Sequence, residues 1–227
     1  WEKYEYFIRK SAGLGKSPSE PDPDIYEHKY IHCDVLVIGS GISGIMAAKT
    51  AAKNGLQTLL VEEKPNLGGS TIYQDSENFK INNQNSGSWL EKEINEIKKL
   101  GNLDIKTRTS VAAYHGYNFL LARESLTDHL PIEQRKSKTR HRLLKIRAKK
   151  VICATGSIER PLIFDNNDRP GIFLSSAIKK YADLFGVACG EKNIFLTNND
   201  SAYETAISLF QKGINIEAII DNREEVD

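Results

Sequence analysis

The chain has 227 residues, 40% of them hydrophobic, with 31 Lys and Arg against 30 Asp and Glu for a formal charge of +1. That length buries a sizeable core, and so even a charge balance argues against a nucleic-acid or membrane-surface protein as a whole. No apolar run approaches the roughly 18 residues of a membrane span, no signal peptide precedes Trp1, and the cysteines Cys33, Cys153 and Cys189 form no CxxC pair, which predicts reduced thiols in a cytoplasmic protein.

The lone methionine, Met46, predicts a fragment or processed piece of a longer chain. Residues 1–32 carry Gly13, Gly15, Pro18, Pro21 and Pro23, a composition that predicts an extended arm lying on something else. Periodic structure is expected from Cys33. The run "CDVLVIG" is nearly all apolar, as in a strand buried on both faces of a parallel sheet. "ISGIMAAKTAAKNG" reads as an Ala-rich helix stopped at Gly55, and "QTLLVEE" as a second buried strand. Ser70 to Asn85 is polar and predicts a long loop. "SGSWLEKEINEIKKLGN" spaces Leu90, Ile94, Ile97 and Leu100 along one helical face and ends at Gly101. "DIKTRTSVAAYHGYNFLLARE" predicts two strands with a turn near His115–Gly116. "RHRLLKIRAKKVICATG" alternates before turning apolar at Val151–Ala154, which predicts a small meander inserted ahead of a returning core strand. From Lys192 a second unit follows, strand "NIFLT", helix "SAYETAISLFQKG" and strand "INIEAIID".

The chemistry sits at the first turn. Gly39, Gly41 and Gly44 form GxGxxG after a buried strand and at the start of a helix. The first glycine permits the tight turn, the second lets a pyrophosphate approach the backbone, and the third lets helix and strand pack closely. The helix N-terminus adds N–H groups and a positive dipole. Glu62 follows 18 residues after Gly44 at the end of the second strand, where a carboxylate can accept both ribose hydroxyls of an adenosine and would repel a 2′-phosphate. Gly68, Gly69 and Ser70 stand where a glycine pair would pass a diphosphate. "VICATGSIERP" is a strand ending in Ala154-Thr155-Gly156 that leads toward a second domain.

Glycine helix, strand-end acid, Gly-Gly and Ala-Thr-Gly in this order resemble the glutathione-reductase-like superfamily of two-dinucleotide-domain flavoproteins. The resemblance implies an α/β, Rossmann-like FAD/NAD(P)-binding fold with a parallel sheet, an inserted β-meander and a truncated second βαβ domain. The expected divisions are an arm over 1–32, a dinucleotide-binding domain over 33–156 and a second domain over 157–227. "GGSTIYQDSENF" has no cysteine, which excludes disulfide-reductase chemistry there, and "TNNDSAY" has no glycine for a second diphosphate turn. Asn198, Asn199 and Asp200 are expected to make that turn and cap its helix.

A narrower resemblance runs over nearly the whole chain. "WEKYEYFIRKSAGLGK", "PDPDIYEHKYIHCDVLVIGSG", "RHRLLKIRAKKVICATGSIERPLIF", "DRPGIFLSSAIKKY" and "TNNDSAYETA" are similar to segments of the alpha subunits of heterotetrameric sarcosine oxidases. The resemblance implies a complex that oxidises sarcosine with oxygen to glycine, hydrogen peroxide and methylenetetrahydrofolate or formaldehyde. FAD and FMN serve the beta subunit and its interface with alpha, tetrahydrofolate binds in the alpha C-terminal half, and NAD, not known as a redox participant, rests in the alpha nucleotide domain. The implied partners are the beta, gamma and delta subunits and the remainder of alpha. Carried onto this sequence, Gly39, Gly41, Ser43 and Gly44 would meet the diphosphate, with Ser70 beside it. Glu62, Glu63 and Lys64 would surround the ribose, Val111 would touch the adenine through its backbone, and Gly69, Thr155 and Gly156 complete the expected site. No residue of this chain is expected to be catalytic. FAD in the same pocket is the alternative, since the fingerprint fits the ADP half of either cofactor. A third reading is a scaffold that docks other subunits.

Other signals are read as structural. Arg135 to Lys150 holds nine Lys or Arg, yet it alternates and lacks interleaved aromatics, so a solvated or subunit-facing edge strand is expected rather than a nucleic-acid patch. His28, His32, His115, His129 and His141 have no metal-ligand spacing, and no metal is expected. Trp1, Tyr4, Tyr6 and Phe7 are expected to anchor the arm on a neighbouring domain.

Overall fold

The computed structural model describes residues 1–15, 19–74 and 79–224. Lys16 to Pro18 of the expected arm, Asp75 to Asn78 of the expected loop and the last three residues lie outside the described residues. In chain order the elements are α1 (Glu2–Ser11), β1 (Ile25–Ile38), α2 (Ile42–Lys53), β2 (Thr58–Val61), a short 3-10 turn at Gly69–Tyr73, β3 (Lys80–Ile81), β4 (Gln84–Asn85) and α3 (Ser86–Ile97). Then come β5 (Leu103–Lys106), β6 (Thr109–His115), β7 (Phe119–Ser125), α4 (Ile132–Arg135), β8 (Thr139–Cys153), α5 (Ser175–Phe185), β9 (Asn193–Thr197), α6 (Ser201–Gln211) and β10 (Ile216–Asp221).

Six strands form one sheet in the order β5-β2-β1-β8-β7-β6. β5, β2, β1 and β8 are mutually parallel, while β6 and β7 add an antiparallel meander to β8. The period-2 alternation of strands explains how this sheet is covered. Val35, Val37 and Leu60 point to one face and bury against Ile45 and Ala48 of α2 and Trp89, Leu90 and Ile97 of α3. The intervening Leu36, Leu59 and Val61 point to the other face and pack on Leu120, Ala122, Leu144 and Ile146 of the meander. Asn85 caps α3 by accepting hydrogen bonds from the N–H groups of Gly87 and Ser88. Lys49 of α2 sits between Glu93 and Glu96 of α3, fastening the two helices side by side.

Several expectations are corrected. The segment 1–32 is not an extended arm: it holds helix α1 and the first eight residues of β1, which pair with β8 from Ile25↔Thr139 onward. The apolar pattern marks only the inner part of β1, because residues 25–32 extend beyond β2, pair with β8 alone and are largely exposed, so polar residues are tolerated there. Trp1, Tyr4, Tyr6 and Phe7 are 54% to 84% exposed on this chain, and their expected anchoring concerns a separate domain, so this exposure does not bear on it. "DIKTRTSVAAYHGYNFLLARE" makes three strands instead of two, because Arg108 at φ 50° breaks the run and sends β6 out of the parallel register. The expected loop at 70–85 includes the 3-10 turn and the small β3–β4 hairpin.

The basic run is not an edge. β8 is the fourth strand of six, flanked by β1 and β7, and its cations meet partners on both. Arg140 pairs with Asp24 and Asp128, Arg142 with Glu27 and Glu124, and Lys149 with Asp34. Lys145 lies over the Tyr30 ring and Arg147 over the Phe119 ring. The basic stretch and the returning core strand are therefore one continuous strand, β8.

The unit from Lys192 forms as expected, with β9 and β10 parallel and α6 covering them through Ala202, Ala206 and Leu209 on Phe195. α5, which the sequence reading left unassigned, packs on α6 through Ile178 and Ala182. Lys179 is buried between the two helices, donating to Asp183 at 2.8 Å and to Ser208 at 3.1 Å. Lys212 stands 2.8 Å from Asp183 Oδ1, close enough for charge pairing but off the line a hydrogen bond needs.

Candidate dinucleotide site

The C-terminal ends of β1, β2 and β8 meet the start of α2, and the site is built at that junction. Such a junction, at the carboxyl ends of parallel strands, is where open α/β sheets hold ligands. Ala154 N–H donates to Ile38 O at 2.8 Å, so the ladder of β1 and β8 runs to the point where both chains leave the sheet. Gly39 leaves at φ 95°, and a Cβ there would stand 2.4 Å from Ala154 O. Gly44, in the first turn of α2, is pressed on the same turn: a Cβ would stand 1.9 Å from Gly39 O. These two glycines are occupied by packing.

Gly41 differs from both. It is the N-cap of α2, has no side-chain cap bond, and a Cβ built on it would meet nothing within 4 Å. Space over a glycine at a helix N-terminus, with the first amides lacking intrahelical acceptors, is a cradle for an anionic group. Ser43 is exposed in the first turn of α2, where its N–H belongs to the same set. Gly69 closes the cradle from the side, with an added Cβ 2.9 Å from Gly41 Cα, and Ser70 follows it on the exposed surface. Gly68 serves packing instead: at φ 127° an added Cβ would stand 2.6 Å from Leu90 Cδ2. The glycine pair is thus split between core and groove.

Glu62 follows β2 directly and is 6% exposed. Its Oε2 accepts from Ser40 N–H at 2.9 Å and from the Ser40 hydroxyl at 2.6 Å, and its Oε1 accepts from Lys64 N–H at 2.8 Å. The main chain of Glu62 is equally fixed, donating to Lys106 O and accepting from Thr109 N–H, both at 2.8 Å. That second bond sets the start of β6 beside Glu62 and brings Ser110 and Val111 to the wall of the groove. Glu63 and Lys64 are exposed at the rim and pair with each other at 2.8 Å; this pairing, ahead of the cost of burial, holds the Lys64 ammonium above its usual range. On the far side Thr155 and Gly156 are exposed and line the groove, with Gly156 at φ 70° and free space over its Cα.

The groove continues past Gly41 and Glu62. It has a volume of about 2720 Å³ and runs from Gly41 and Glu62 to α5, where Lys180 lies 5.5 Å over the Tyr73 ring. Glu159, just beyond Gly156, ties the outgoing chain to α5 by accepting from Ser175 N–H, the Ser175 hydroxyl and Ser176 N–H.

Sequence reasoning missed Ser40. Nothing in the spacing marks it, since the fingerprint places any residue between the first two glycines. Among the described residues no group of three or more His, Cys, Asp or Glu could hold a metal, and no helix is long and apolar enough to cross a membrane.

Known proteins bear on this geometry. The chain is 37% identical to the sarcosine oxidase subunit alpha of Rhizobium meliloti (strain 1021) over 98% of its length, and 36% identical to that of Corynebacterium sp. (strain P-1) over 94%. It spans 22% of each of those proteins. Among solved structures it is similar to L-proline dehydrogenase from P. horikoshii, with a TM-score of 0.65 and 27% identity over 93% of this chain and 40% of that one. Thioredoxin reductase from Lactococcus lactis shares the fold, with a TM-score of 0.57 and 20% identity over 86% of this chain and 57% of that one. The profile of the FAD dependent oxidoreductase family matches residues 34–156, which is more than half of the chain and runs from β1 through Gly156. By that match and the α/β architecture that carries it, the chain belongs to the FAD dependent oxidoreductase family.

Proposed function

We propose that this chain holds an adenine dinucleotide by its ADP half, and that the dinucleotide is NAD, kept in place as part of a sarcosine-oxidase-like alpha subunit. One observation carries the first step. Of the three fingerprint glycines, Gly39 and Gly44 are filled by protein, whereas Gly41 faces open space at the N-terminus of α2. A diphosphate fits there, Glu62 stands where an adenosine ribose would follow, and the backbone at Val111 borders the adenine position. The similarity to sarcosine oxidase alpha subunits over most of the chain supports the assignment to that assembly. On this reading the beta, gamma and delta subunits and further alpha sequence are its partners, and the amine oxidation belongs to the complex.

The second reading, FAD in the same groove, is favoured by the family profile. FAD would supply a two-electron acceptor in its flavin ring, and this chain's own residues would do the same work for either cofactor: Gly41 and the α2 amides bind diphosphate, and Glu62 orients the ribose. Protein purified from cells and heat-denatured decides between them. NAD in the supernatant by mass spectrometry, with no flavin absorbance, is the expected result. Stoichiometric FAD would replace the first reading by the second, and a groove that is empty and refuses added NAD would favour a subunit-docking scaffold.

The carboxylate gives a sharper expectation. Glu62→Gln weakens NAD binding by about 1.5–3 kcal/mol, the range for losing a hydrogen bond to a charged group. NADP binds more weakly than NAD, because its 2′-phosphate would face Glu62 and Glu63. Calorimetric titration giving equal affinities for NAD and NADP would remove Glu62 from the ribose role.

A further inference from the structure

Ser40 is fully buried, and both of its donors go to one atom. Its N–H and its hydroxyl donate to Oε2 of Glu62 at 2.9 and 2.6 Å. Its carbonyl accepts from Gly68 N–H at 2.9 Å, and the same N–H lies 3.3 Å from Ser40 Oγ, so one residue joins the glycine turn, the acid and the Gly68–Gly69 turn. On the other carboxylate oxygen, Lys64 N–H donates to Oε1 at 2.8 Å. An ionised carboxylate offers about four lone-pair positions, roughly two on each oxygen. Ser40 fills those of Oε2, and Lys64 fills one on Oε1. Rotation of the group would abandon buried donors, each of which is costly to leave unpaired.

We infer that Ser40 is a positioning residue that fixes Glu62 with only one acceptor site free, on Oε1, so that the site reads a single hydroxyl of an adenosine ribose. The inference rests on the nucleotide reading above and deepens it. It revises the expectation that this acid takes both ribose hydroxyls. The chemical class selected is an adenosine diphosphate whose one ribose hydroxyl is indispensable and whose other is nearly indifferent.

The test uses the intact protein freed of resident nucleotide, titrated calorimetrically with ADP, 2′-deoxy-ADP and 3′-deoxy-ADP. One analogue is expected to bind roughly tenfold or more weakly than ADP, and the other close to ADP itself, as loss of one hydrogen bond to a charged acceptor requires. In Ser40→Ala a second acceptor site opens on Oε2, and the ratio between the two analogues shrinks; Ser40→Thr, which keeps the hydroxyl, restores it. Two analogues weakened alike in the wild type would overturn the inference, as would two analogues indistinguishable from ADP. A Ser40→Ala protein weaker for all three ligands with an unchanged ratio would reduce Ser40 to a structural brace and overturn it as well. Should Ser40→Ala fail to fold, the wild-type ratio still decides. Wild-type protein that binds no ADP at all overturns the nucleotide reading and this inference together, and so is told apart from failure of the inference alone.

Discussion

At Gly44 the missing side chain is filled by the carbonyl of Gly39, and at Gly41 by nothing, although both belong to one motif. The two positions therefore separate stability from binding. Gly44→Ala forces backbone apart at the strand–helix junction and is expected to cost about 1–3 kcal/mol or more of stability, as overpacking does. Gly41→Ala meets no atom and needs no positive φ, so its melting temperature stays near wild type while nucleotide affinity falls, since the added methyl occupies the cradle. Thermal melts paired with calorimetry check this; equal destabilisation by both changes would show that Gly41 is a packing glycine too. The cysteines differ in a similar way. Burial, followed by the charge of Asp34, pushes the Cys33 thiol up to about 11, which keeps it protonated and unreactive at neutral pH, while Cys153 is exposed.

At the scale of elements, the long strands β1 and β8 are held together away from the glycine turn by charge as well as by ladder. Asp128, in the connection between β7 and β8, accepts from Arg140 and from the Ser125 hydroxyl, its Oδ2 lies 2.5 Å from His141 Nε2, and Arg135 donates to its carbonyl at 2.7 Å. Arg140, then His141, hold the Asp128 carboxyl well below the usual carboxylate range. A carboxylate with a depressed folded pKa stabilises the fold above its unfolded value, about 3.9, and that stabilisation is lost as pH falls through the folded value. The wild type is thus expected to lose stability as pH is lowered below about 4, and Asp128→Asn to be less stable at neutral pH with a flatter profile over that acid range. Denaturant midpoints measured across the range check it; parallel profiles for both proteins would mean that Asp128 contributes no folding energy there.

At the scale of the molecule, two βαβ units stand on one chain, and only the first keeps an open turn. In the second, the Asn199 side chain accepts from Ser201 N–H at 3.1 Å and from the Ser201 hydroxyl at 2.5 Å, so a first-turn amide of α6 is already taken. Of the three residues expected to make that turn and cap the helix, Asn199 supplies the accepting oxygen, while Asp200 pairs with Arg223 at 2.8 Å. A self-capped, acid-flanked turn is a poor host for diphosphate. Titration with NAD is therefore expected to saturate at about one site per chain; a second site lost on mutation of Asn199 would refute this. On the proposed function, residues 1–227 alone take up no oxygen with sarcosine above a denatured control, since the amine chemistry belongs to the other subunits.

The sequence by itself determined the parallel βαβ start, because an unbroken apolar run, spaced glycines and a strand-end acid are local patterns that one fold uses. The positions of Glu62, Gly39, Gly41 and Gly44 at the first turn were legible for that reason, as was the second unit from Lys192. Tertiary structure alone decided which glycine faces open space and which faces the core, since that depends on what a distant segment, Ala154 or Leu90, brings against it. It decided that the basic run lies inside the sheet, because neutralising carboxylates came from Asp24 just ahead of β1, Glu27 in β1 and Glu124 in β7. It also brought Ser40 to Glu62, a hydrogen bond across 22 positions that no periodicity encodes. Composition and spacing fix what a segment can bury; which polar atoms meet is settled only when the segments close on one another.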